Sequence, residues 1–66
     1  MKLEKVNDVI FKYFPDKIMI YLSDKLIFNK DIEILKYYGY IENMYVYTYE
    51  YVNKEKNTIL IRVMEE

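Results

Sequence analysis

The chain has 66 residues, no cysteine and no histidine, and a net charge of −1 from ten basic and eleven acidic side chains. Disulfides are therefore excluded, and a structural zinc lacks the sulfur and nitrogen ligands it prefers. The imidazole and thiol used in most nucleophilic catalysis are missing, and so is the positive excess that draws proteins onto nucleic-acid backbones.

A chain this short is expected to form one domain over residues 1–66. A domain of that size buries only about 60% of the surface its unfolded chain exposes. A dense apolar core, self-association, or both must supply the stability. The 53% apolar and 18% aromatic content points to both. Phe, Tyr, Met, Ile, Asn and Lys, whose codons are AT-rich, make up 39 of the 66 residues, and alanine is absent. That skew suits an AT-rich microbe, or a virus or plasmid that lives in one.

The first element is "KLEKVNDVIFKYF". Leu3, Val6, Ile10 and Tyr13 or Phe14 recur at helical spacing among charged residues, and Pro15 stops the repeat. A helix is predicted over 3–14. Glu4 and Asp8 interrupt its apolar positions, which argues against a signal peptide. "IMIYL" (Ile18 to Leu22) and "KLIF" flank the turn-forming pair Ser23-Asp24, so a hairpin with strands 17–22 and 25–28 is expected. The rival is a helix over 16–27 that buries Ile18, Leu22 and Leu26.

"NKDIEILKYYGY" reads as a helix over 30–38. Asn29 stands ready to cap it, Asp31 suits its positive end, and Ile32, Leu35 and Tyr38 form its apolar edge. Gly39, the only glycine, fits the left-handed residue that ends a helix. Residues 43 to 64 then read as one long hairpin, "NMYVYTYEYV" and "TILIRVM", around the turn "NKEKN". The expected fold is α+β: elements in the order αββαββ, with an antiparallel sheet carrying two helices on one face.

The register of the last hairpin decides what its tyrosines face. A three- or five-residue loop pairs odd positions with odd. Tyr45, Tyr47, Tyr49 and Tyr51 then share a face with Ile59, Ile61 and Val63. A four-residue loop pairs odd with even and puts Glu50 among those aliphatic residues. A buried unpaired carboxylate costs several kcal/mol or forces a large pKa shift, which favours odd with odd. On that register the tyrosines are core. The opposite face carries Val46, Thr48, Glu50, Val52, Leu60, Arg62 and Met64.

No catalytic, cofactor or metal site emerges from the residues. Ser23-Asp24-Lys25 reads as a turn, one glycine cannot build a phosphate loop, and no spacing supports Glu42 and Glu50 as an acid/base pair. The chain is not expected to be an enzyme. The segment "EILKYYGYIE" followed by a hairpin resembles the end of a winged-helix domain, where a recognition helix runs into the wing. That resemblance implies the alternative fold, three helices plus a C-terminal hairpin, and a DNA-binding regulator. Asp31 and Glu33 offset Lys30 and Lys36 on the would-be recognition helix, and acids there repel phosphate.

Four apolar side chains on one flat face point instead to a protein partner, with a second copy and a foreign protein equally suited. The reading is a small non-catalytic interaction domain, such as a viral or plasmid accessory factor that binds and inhibits a host protein. It is expected in the cytoplasm, the host's if viral. Its longest uncharged apolar run, Ile18 to Leu22, is too short for a membrane span.

Overall fold

A computed structural model describes residues 3–64. Helix α1 (Val6–Tyr13) starts where the Asp8 carboxylate accepts the Lys5 backbone N–H at 2.8 Å, an acid in the first turn reaching back to an otherwise unsatisfied donor. It buries Val6 and Val9 and half-buries Ile10 and Tyr13. Phe14 ends it in a left-handed conformation (φ 47°, ψ 56°), its N–H bonded to the Ile10 carbonyl at 2.7 Å. The predicted helix over 3–14 is thus shorter at both ends, and Phe14 points into solvent.

Strands β1 (Lys17–Leu22) and β2 (Lys25–Asp31) form the expected hairpin, turning at Ser23 (φ 56°) and Asp24. β2 runs three residues further than predicted because Asp31 still pairs with Lys17. Asn29 to Asp31 are therefore strand, and Asn29 caps nothing. In place of one helix over 30–38 there is a 3-10 helix (Ile32–Tyr37) that buries Leu35, then a single α-turn, α2 (Gly39–Glu42), that buries Ile41. Gly39 opens α2 with no positive φ, so it is not the left-handed helix terminator.

β3 (Val46–Asn53) and β4 (Thr58–Val63) form the last hairpin, and the sheet order is β2-β1-β4-β3. The central pair, β1 and β4, is parallel: Ile18 lies beside Ile59 and Ile20 beside Ile61. The sheet is mixed, not wholly antiparallel. The reason is burial. Both segments are the most aliphatic in the chain, and pairing them side by side puts four isoleucines at 0% exposure in the middle of the sheet.

Alternation puts Ile18, Ile20, Phe28, Ile59, Ile61 and Val63 on one face. There they form one core with Val6 and Val9 of α1, Leu35 and Ile41. The helical segments therefore cover that face. The alternative of three helices and a hairpin does not describe this chain, since residues 17 to 31 form two further strands joined by a turn. No helix among the described residues is long and apolar enough to cross a membrane.

The final hairpin combines both registers considered from the sequence. Its loop, Lys54 to Asn57, has four residues and pairs Asn53 with Thr58, odd with even. Val52 is then left unopposed as a bulge, and Tyr51 pairs with Ile59 and Tyr49 with Ile61, odd with odd. A second bulge at Tyr47 shifts the count again, so that Val46 pairs with Val63. Val46 is consequently a core residue, 9% exposed, and Tyr47 is 70% exposed. The expectation of a uniform tyrosine core and an outward Val46 is corrected by that one extra residue. Only Tyr49 is half-buried; Tyr45 and Tyr51 lie at the rim.

Candidate interaction face

The face of the sheet turned away from the helices has a regular plan. Met19 and Tyr21 point outward from β1, Leu60 and Arg62 from β4, and Thr48 and Glu50 from β3, because their neighbours in each strand point into the core. The register aligns them in two rows across the sheet. One row runs Thr48, Arg62, Tyr21, Leu26; the other runs Glu50, Leu60, Met19, Asn29. The middle of this grid is apolar and its β3 border is charged.

Arg62 links the two rows. Its guanidinium stands 5.9 Å from the centre of the Tyr21 ring, and its Nη1 lies 3.9 Å from Glu50 Oε1. Both groups of that ion pair are well exposed, so the pair adds little to stability. Its longer reach leaves donors and acceptor free for a further charged neighbour.

Of the seven residues expected on this face, Thr48, Glu50, Leu60 and Arg62 come together. Val52 is exposed but sits in a bulge at the end of β3, and Met64 is exposed just beyond β4. Val46 belongs to the core. Met19, Tyr21 and Leu26 also belong to this face and are not among the residues predicted for it. Within the apolar run "IMIYL", Met19 and Tyr21 are half-exposed while Ile18 and Ile20 are fully buried.

A polar cluster lies on the helix side, between α1 and β3. The Lys12 ammonium donates to Glu4 Oε2 and to the Tyr49 hydroxyl, both at 3.4 Å. The Tyr49 and Tyr13 hydroxyls are 3.3 Å apart, and the Tyr13 ring also meets Tyr51 edge-on at 5.8 Å. The bond to Tyr49, and then Glu4, pushes the Lys12 pKa above its ordinary 10.5. The bond to Tyr49 likewise pushes Tyr13 above 10.0. Both shifts lead away from neutral pH, and the hydrogen bonds of the cluster fasten α1 to the sheet. Ser23 sits in the β1–β2 turn, exposed. Among the described residues no three Asp or Glu side chains converge as metal ligands. No protein-family model, curated protein or solved structure matches the chain.

Proposed function

We propose that this is a small non-catalytic protein-interaction domain that binds through the uncovered sheet face centred on Met19, Tyr21, Leu60 and Arg62. The observation that carries this reading is the one-sided packing. All the helical segments join the core on one face, and the other keeps an apolar centre with the Glu50–Arg62 ion pair at its β3 border. Exposed apolar centres with polar rims are the anatomy of protein interfaces, and Tyr and Arg are the residues most often found at their energetic centres.

The AT-skewed composition adds the biological frame: an accessory factor of a virus or plasmid, acting in the host cytoplasm by binding and inhibiting a host protein. Capture from the lysate of an AT-rich host, with and without nuclease, tests the class. A partner that survives nuclease and is lost with folded Leu60→Lys protein supports the reading. Loss of every partner on nuclease treatment moves the chain to the nucleic-acid binders.

A further inference from the structure

We infer that the open sheet face is self-complementary and binds a second copy of this chain, face to face about a twofold axis, with Glu50 of each copy over the partner's Arg62. This rests on the reading of that face as an interface and names its occupant.

The first argument is charge. In the two rows of four the only ionic groups are one carboxylate, Glu50, and one guanidinium, Arg62. The next row of the same face adds Lys17 and its partner Asp31, again one charge of each sign, so the face as a whole is neutral and Glu50 and Arg62 are the charges nearest its apolar centre. A twofold axis that sets Glu50 against the partner's Arg62 sets Arg62 against the partner's Glu50 at the same time.

The second argument is where that axis runs. Strands lie about 4.8 Å apart and residues rise about 3.3 Å along them. Thr48 pairs with Arg62 and Glu50 with Leu60, so Glu50 and Arg62 are diagonal neighbours, one strand and two residues apart. The axis that exchanges them crosses the midpoint of this diagonal at a right angle. Followed across a flat lattice of these spacings, it passes close to Leu60 and then Met19, through the centre of the four strands. The axis that pairs the charges thus also gives the fullest overlap of the two faces. It sets Leu60 and Met19 against their own counterparts. The strands of the two sheets then cross steeply, as in orthogonal sheet packing.

The third argument is area. Four strands of about six residues cover roughly 19 by 20 Å, or about 400 Å² per copy. Both copies together reach about 800 Å², below the usual size of a stable complex and in the range of weak ones. The dimer therefore forms in the micromolar to millimolar range. A foreign protein docking on the same face would compete with it.

Sedimentation equilibrium of the whole chain from about 10 μM to about 1 mM tests the inference, with circular dichroism as the check on folding. The wild-type mass is expected to climb from 8.2 kDa toward twice that value. Arg62→Glu and Glu50→Arg, each alone, bring like charges together and should hold the chain near monomer mass. An equal mixture of the two variants restores both pairs, and should associate at least tenfold more tightly than either variant alone.

A wild-type chain that stays monomeric at about 1 mM overturns the inference. So does a dimer that ignores both charge reversals, or a mixture no tighter than its components. If the chain is monomeric but a captured partner is lost with Leu60→Lys, the occupant is foreign and the interface reading stands. If neither association nor capture responds to this face, both fall.

Discussion

Replacing Phe14 by asparagine should stabilise the protein. Phe14 holds φ 47° and ψ 56°, a left-handed conformation in which a side chain's Cβ crowds its own carbonyl at a cost of roughly 1–2 kcal/mol. Asparagine adopts that conformation more readily, and the other two left-handed positions are held by Ser23 and Asn57, both turn formers. The phenyl ring returns little of the cost. It is 69% exposed, and its edge-on contact with Phe11 at 6.4 Å is made to a ring that is itself 64% exposed. That contact is worth about 0.5 kcal/mol at the low end of aromatic pairs. The backbone features that require the left-handed turn do not depend on the ring. They are the Phe14 N–H to Ile10, and the Phe14 carbonyl accepting Asn57 Nδ2 at 2.9 Å. The net gain is about 1 kcal/mol, which in a domain of this size raises the melting temperature by roughly 4–8 °C. Urea and thermal unfolding of wild type and Phe14→Asn measure it. An unchanged or lower midpoint refutes the reasoning, because it would mean that the ring supplies stability its exposure denies.

Gly39→Ala should raise stability by roughly 0.5–1 kcal/mol, since Gly39 is helical, has no positive φ, and a Cβ there meets nothing within 4 Å; a destabilised variant in thermal melts contradicts the assignment of Gly39 to α2. Val46→Ala should cost about 2 kcal/mol in urea unfolding, as a buried aliphatic truncation, and Tyr47→Ala less than about 0.5; equal effects would remove the bulge between them. Stability should fall above pH 10. The raised pKa values of Lys12 and Tyr13 mean the folded state keeps its protons longer than the unfolded one, so their contribution is complete below 10 and is lost as pH rises through the folded values. Tyr49→Phe, which removes the hydroxyl both groups share, should flatten that alkaline limb of the melting curve; an identical limb in wild type and variant counts against the cluster.

The local elements were legible where the signal was local. "IMIYL", Ser23-Asp24 and "KLIF" give the first hairpin within a few residues, because turn chemistry and β-branched runs act over two to six positions. Pro15 marks the end of α1 for the same reason. What periodicity does not encode is which strand lies beside which. The parallel pairing of β1 with β4 joins residues about forty positions apart, and it follows from burying four isoleucines together. Gly39 does not end a helix because the apolar stripe before it is not one α-helix: β2 takes Asn29 to Asp31 for its pairing with β1, Ile32–Tyr37 is a 3-10 helix, and Gly39 opens the next turn. The candidate face suffered from both causes. Thr48, Glu50, Leu60 and Arg62 were recoverable from one hairpin. Met19 and Tyr21 needed the strand order, and Val46 changed sides because no sequence rule announced a bulge at Tyr47.

The distribution of rings separates the residues that hold the fold from those left in contact with water. Every side chain of the fully buried set is isoleucine or valine: Ile18, Ile20, Ile41, Ile59, Ile61, Val6 and Val9. Stiff β-branched residues lose little rotamer freedom on burial and pack densely in a small volume. The aromatic residues, which composition alone suggested as core, are mostly outside. Seven of the twelve rings are exposed: Phe11, Phe14, Tyr37, Tyr40, Tyr45, Tyr47 and Tyr51. The exposed rings return little to the fold beyond edge-on contacts such as Phe11 with Phe14 and Tyr13 with Tyr51. None of these seven lies in the two rows of the open face, where Tyr21 is the one ring. Tyr21 and Arg62 lie side by side on the one face that no helix covers, so substitutions in the proposed interface leave the aliphatic residues that hold the fold untouched.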